Sequence, residues 1–197
     1  VISATEAKTA ALQDLDIRSA YSSLYNQATG TGTDNIIVVQ GTGTRIENAG
    51  GHSKLGELIA KAVYAGVQEA VYKQNGIVSR RNVFQRLKDR KISIYGLVSE
   101  TKCHCINKKS GLGGEIEEIL LNPRYAGFVE ASFALSDDYE RGLICDLSDY
   151  ELWCKNVAER IAGKKIAQLS GIVETDGMPV VLKMALNALL NGLCFSK

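Results

Sequence analysis

Apolar residues recur at steps of three and four over Leu55, Ile59, Val63, Val67 and Ala70. That is the stripe of an amphipathic helix. Glu57 with Lys61, and Glu69 with Lys73, stand four apart in the favourable order on the solvent side. The spacing predicts a helix opening at His52 and ending at Asn75-Gly76. Upstream, Ser3-Ala4-Thr5-Glu6 has capping-box form and opens an alanine-rich helix to about Leu15. Residues 14–26 read as a loop. The tight run Ala28-Thr29-Gly30-Thr31-Gly32-Thr33-Asp34 follows. It leads into Asn35-Ile36-Ile37-Val38-Val39-Gln40, whose β-branched core predicts a buried strand. Gly41-Thr42-Gly43-Thr44 and a polar stretch to Gly50-Gly51 close the interval.

Beyond residue 76 the texture changes. Residues 79–90 predict a short basic helix, 92–98 a strand, and 99–114 a glycine-bearing loop. Helical patterns run over 115–121, 124–135, 150–162 and 179–193, with Pro179 suited to a first turn. The expected fold is α/β, with α+β as the alternative. It is helix-rich, with a small sheet, Gly/Thr-rich loops and packed helices. Residues 1–76 form its α/β segment. Residues 77–197 form a mainly helical extension, either separate or within the same compact domain.

Composition removes several classes. The 197 residues are enough to bury a core without staples. No uninterrupted apolar run is long enough for a transmembrane helix, and no secretory signal is visible. A balance of 23 basic and 22 acidic side chains names no partner. Basic residues crowd 79–109 and acidic ones 115–151, which reads as two solvated faces. The odd cysteine count and a cysteine-free first half argue for reduced thiols in a cytoplasm. With Val1 first, an N-terminal nucleophile is not expected.

Four features carry candidate chemistry. The Gly/Thr run is suited to cradle a ligand with backbone N–H groups and hydroxyls, or else to make a simple turn. It is neither a Walker A loop nor a dinucleotide fingerprint. His52 at a helix start faces the positive end of the macrodipole, which favours the neutral imidazole a general base needs; it equally fits a core stripe. Cys103-His104-Cys105 lacks zinc-ligand spacing, and no metal site is expected. Ser136-Asp137-Asp138-Tyr139-Glu140 reads as a cap and a solvated face. Phe128, Phe133 and Trp153 read as core.

Val1-Ile2-Ser3-Ala4-Thr5-Glu6-Ala7-Lys8, the 28–34 run, and Gly51-His52-Ser53-Lys54-Leu55-Gly56-Glu57-Leu58-Ile59 resemble, in order and spacing, the adenosylcobinamide amidohydrolase (CbiZ) family. The resemblance covers about residues 1–76. It implies a cytoplasmic enzyme of corrinoid salvage that removes the aminopropanol arm of adenosylcobinamide and leaves adenosylcobyric acid. No cofactor is implied beyond the cobalt corrinoid substrate. The chain then reads as the C-terminal portion of a longer enzyme or as a variant with a helical extension.

Amide hydrolysis needs an activated nucleophile, a stabilised oxyanion and a protonated leaving amine. His52 is the expected base and later acid, and Asp34 its orienter from the facing loop. Thr33 and Thr31 are candidates for nucleophile or oxyanion donor. Glu57 is an alternative acid if burial raises its pKa. Thr29, Gly30, Thr31, Gly32, Gly51 and Lys54 are the expected substrate contacts. The rival readings are a non-catalytic corrinoid or nucleotide binder, and a nucleic-acid binder using Arg80, Arg81, Arg86, Lys88, Arg90 and Lys91. Neither nucleic acid nor membrane is the expected partner, and a homo-oligomer is left open.

Overall fold

The computed structural model describes residues 1–30, 35–101 and 109–196. Within them the chain is helical, and the expected α/β fold is overturned. Eight helices and no strand occur among the described residues. The one bridge is isolated, antiparallel between Arg18 and Gln27. The chain divides into two compact units, 1–81 and 82–197.

The first unit pairs helix α1 (Ile2–Asp14) with helix α2 (Lys54–Asn75). In α1, Ala4, Ala7 and Ala11 are buried. Their i, i+3, i+7 spacing makes a smooth stripe against which a second helix can lie closely. Capping differs from expectation: α1 starts at Ile2, and Ser3 is buried within it rather than capping it. α2 follows its sequence closely. Both forecast pairs, Glu57–Lys61 and Glu69–Lys73, form. Gly76 closes the helix in the left-handed region at φ 67°. Tyr64 Oη on α2 donates to Asp14 Oδ2 at the end of α1, 2.6 Å away. That carboxylate raises the phenol's pKa.

After α1 the backbone turns through Asp16 (φ 48°). The buried Arg18 guanidinium holds this turn, binding Asp16 Oδ1 at 3.0 Å and the Ser23 carbonyl at 2.8 Å. Arg81 caps the end of α1 by donating to the carbonyls of Leu15 and Asp16. The forecast strand 35–40 lies outside any regular element. Ile37, Val38 and Val39 are 87%, 71% and 84% exposed. β-branched residues favour a strand only where a neighbouring strand completes the ladder. The described residues supply none.

The second unit has helix α8 (Val180–Phe195) at its centre, packed on helix α6 (Pro123–Glu140) and helix α7 (Ser148–Ala162). Helices α3 (Val83–Asp89), α4 (Ile94–Glu100) and α5 (Lys109–Leu121) complete it. Ten residues of α8 are buried. A Cβ on Gly192 would meet Ile161 Cβ at 2.6 Å, so that glycine sets how closely α7 and α8 cross. The amides of half-buried Asn187 and buried Asn191 bind the 170–173 backbone. Asn191 accepts from Ser170 N–H at 2.9 Å and donates to its carbonyl at 2.8 Å.

The second expected strand, 92–98, is helix α4. Ile94, Leu97 and Val98 are its buried residues, spaced three and four apart, and Ser93 caps it. The helical period therefore outweighs the short alternation at Ile92 and Ile94. The expected loop 99–114 also gives way to helix from Lys109 onward. Gly113 is the site where the Tyr95 ring rests, 2.7 Å from the position of a Cβ. Phe128 and Phe133 are core as expected, whereas Trp153 is 43% exposed. The acidic run at 136–140 is partly buried. Asp137 faces the fully buried Arg90 at 3.4 Å, and that guanidinium lies 4.3 Å over the Phe133 ring.

Candidate functional site

The motif around His52 folds as a compact loop ahead of α2. Ser53 is the N-cap: its Oγ accepts from Gly56 N–H at 3.1 Å and donates to the Gly50 carbonyl at 2.8 Å. The helix therefore starts after His52 rather than at it, and the imidazole lies just beyond the positive end of α2. His52 is exposed, which removes the core-histidine reading.

Asn48 orients the ring. Asn48 Oδ1 accepts from Gly50 N–H at 2.9 Å, so its Nδ2 points to His52 Nε2, 3.0 Å away. Nδ2 can only donate, so Nε2 accepts and the neutral ring carries its proton on Nδ1. Gly50 makes room: a Cβ there would stand 3.1 Å from His52 Cε1. Gly56 lets the loop seat on the helix. Its Cβ would fall 1.9 Å from the Gly50 carbonyl oxygen. Gly56 is the one residue of α2 that is buried.

Asn48 and Gly56 are two residues of this site to which the sequence alone assigns no role. A glycine inside a strongly helical pattern was the signal for the second. Nothing in the periodicity marks the first.

Glu57 does not meet the condition set for an acid. It is bound by Lys61 and Lys54, the latter at 2.9 Å, and these cations, Lys61 foremost, hold its carboxyl below the ordinary range. Lys54 is thereby engaged with Glu57. Gly51 is exposed with open space around it. Thr29 turns toward α1, its carbonyl accepting from Thr9 Oγ1 at 3.0 Å. With Val1, Thr5, Lys8, Asn35 and Ile36 it lines a cavity of about 340 Å³. His52 is not part of that lining. Gly30 is exposed beside it. Thr31, Gly32, Thr33 and Asp34 lie outside the described residues, as do Cys103, His104 and Cys105.

No group of three or more metal-binding side chains occurs among the described residues. Of the basic side chains at 80–91, Arg90 is buried against Phe133, Arg86 lies 5.5 Å over the same ring, and Arg81 caps α1. These three are committed internally rather than offered as a patch.

Comparison with known proteins places the His52 loop in context. Residues 1–79 match the adenosylcobinamide amidohydrolase family, CbiZ. An uncharacterized protein of Methanocaldococcus jannaschii is 56% identical over 77 residues, 39% of this chain and 30% of that relative. The chain thus spans under a third of the length of the curated relative it matches. No solved structure matches the chain. The CbiZ match contains α1, the Gly/Thr run, the His52 loop and α2, so Asn48, Gly50, His52 and Gly56 all fall inside it. No helix among the described residues is long and apolar enough to cross a membrane.

Proposed function

We propose that this chain takes part in hydrolysing the amide that joins aminopropanol to adenosylcobinamide, releasing adenosylcobyric acid, in the cytoplasm. The observation that carries the reading is the fixed, solvent-accessible imidazole of His52 ahead of α2, within the stretch that matches CbiZ. The corrinoid is broad and carries amide arms on its rim, so a surface loop suits it better than a closed pocket. Arrival of substrate displaces the Asn48 amide from Nε2. Nε2 then takes a proton from the attacking water and passes it to the departing amine nitrogen. The positive end of α2 stabilises the tetrahedral oxyanion. Asp34 orients the ring from the Gly/Thr run, and Thr33 and Thr31 are its oxyanion donors, with Thr33 the alternative nucleophile. Thr29, Gly30, Gly32 and Gly51 contact the substrate arm. Glu57 remains ionised between its lysines and serves the helix start rather than proton transfer.

Incubation with adenosylcobinamide, followed by mass analysis for loss of aminopropanol, tests the proposal. His52→Ala is expected to lower turnover by about 10²–10⁴-fold while corrinoid binding changes little. Unchanged adenosylcobinamide after incubation with folded chain that still binds it would leave the non-catalytic binder as the better description.

A further inference from the structure

The second unit contains a feature the amidohydrolase reading does not use. An open cavity of about 800 Å³ lies along α6 and α7, wide enough for a mononucleotide. Arg124, Arg160, Lys164 and Lys165 line it against one acid, Glu159. Glu159 is committed: it binds Lys165 Nζ at 2.8 Å and Ile166 N–H at 3.1 Å. Lys165 and the Ile166 amide hold its carboxyl below the ordinary range. That pairing cancels one positive charge and leaves three. Arg124 and Arg160 are exposed and make no ion pair among the described residues.

The helix ends do not decide the sign. The first turn of α6, with Arg124 and Tyr125, brings a positive end to the cavity, and the last turn of α7, closed by Gly163, brings a negative one. These partial charges oppose each other, so the guanidinium and ammonium groups dominate.

The wall is aromatic as well as cationic. Trp153 lines the cavity with 43% of its surface exposed, and its ring stands nearly perpendicular to that of Phe128, 4.9 Å between centroids. An indole so exposed in a cavity wall is a stacking surface for a planar ring. Guanidinium groups nearby suit the oxygens of a phosphate ester.

We propose that this cavity binds a mononucleotide-sized ligand with a planar aromatic ring and a phosphate. The ring stacks on Trp153 and the phosphate meets Arg124 and Arg160.

Trp153 is the sole tryptophan, so its emission reports on this site alone. Titration of the full chain with 5′-AMP, adenosine and inorganic phosphate is the test. Saturable quenching by 5′-AMP is expected, with adenosine and phosphate each binding at least about tenfold more weakly. Arg124→Ala with Arg160→Ala should weaken 5′-AMP by about tenfold. Both side chains are exposed, so the circular dichroism spectrum should not change. Absence of saturable quenching, equal affinity for adenosine and 5′-AMP, or equal affinity in the double variant would overturn the assignment. So would far tighter binding of a single-stranded oligonucleotide with a steep salt dependence, which would make the face a nucleic-acid surface.

Discussion

A methyl group on Gly56 would lie 1.9 Å from the Gly50 carbonyl oxygen and 2.8 Å from that of Ala49. Both obstacles are backbone, so the loop must move as a whole. Gly56→Ala is therefore expected to destabilise the first unit by about 1–3 kcal/mol and to displace His52 from Asn48. Gly66, on the open face of the same helix, has nothing within reach of a Cβ. Gly66→Ala should stabilise by about 0.5–1 kcal/mol through helix propensity alone. Thermal melts of the two variants check the contrast, and equal shifts would mean that the loop does not seat on α2. Cysteines give a second contrast. Burial pushes the Cys154 thiol up to about 12, whereas Cys145 is exposed. Iodoacetamide reacts with thiolate, so at about pH 8 mass mapping should find Cys145 labelled and Cys154 untouched until the chain unfolds. Ser53, the cap that starts α2, was not read as one, and Glu57 was read as an alternative acid although its two lysines hold it ionised; only the motif that carries His52 was legible in the sequence. Asn48 was not, because an amide four residues away in a loop follows no period.

At the scale of elements, the long helices were legible and the two forecast strands were not borne out. The α2 stripe, its two ion pairs and Gly76 all act within one helix, so local sequence determines them. A strand depends on a partner elsewhere in the chain. The run 35–40 has β-branched residues but no described neighbour to pair with, and 92–98 obeys the three-four spacing of its buried residues instead. Trp153 was misjudged for a related reason: a helical stripe says which side a residue takes, not how far the facing helix extends to cover it. Helix α8 depends on a polar feature that periodicity does not reveal. Asn191 is 1% exposed and supplies both hydrogen bonds that Ser170 makes with it. Asn191→Ala removes both hydrogen bonds to the Ser170 backbone, each worth about 0.5–1.5 kcal/mol. It should cost about 1–3 kcal/mol in urea denaturation, with the slope unchanged. A loss below about 0.5 kcal/mol would place water in the vacated position.

At the scale of the molecule, burial is distributed unequally between the two units. The first is held by an alanine stripe and one buried glycine of α2, with Leu55, Ile59, Val63 and Val67 half-covered. The second buries large side chains of α8, including Leu186, Leu189 and Leu190, as well as Phe128 and Phe133 of α6. Buried apolar area sets most of the free energy of opening, so protection against hydrogen exchange should follow the same order. Amides of residues 185–190 are expected to exchange slowest, those of α2 faster, and those of residues 36–39 near the rate of an unstructured peptide. Peptide-resolved exchange with mass detection checks the ranking. Slow exchange at Ile37 and Val38 would mean that this apolar run is paired in solution after all, and the first unit would then be held by more than its two helices. Exchange of α8 as fast as α2 would instead contradict the view that its buried face is the stable centre of the second unit.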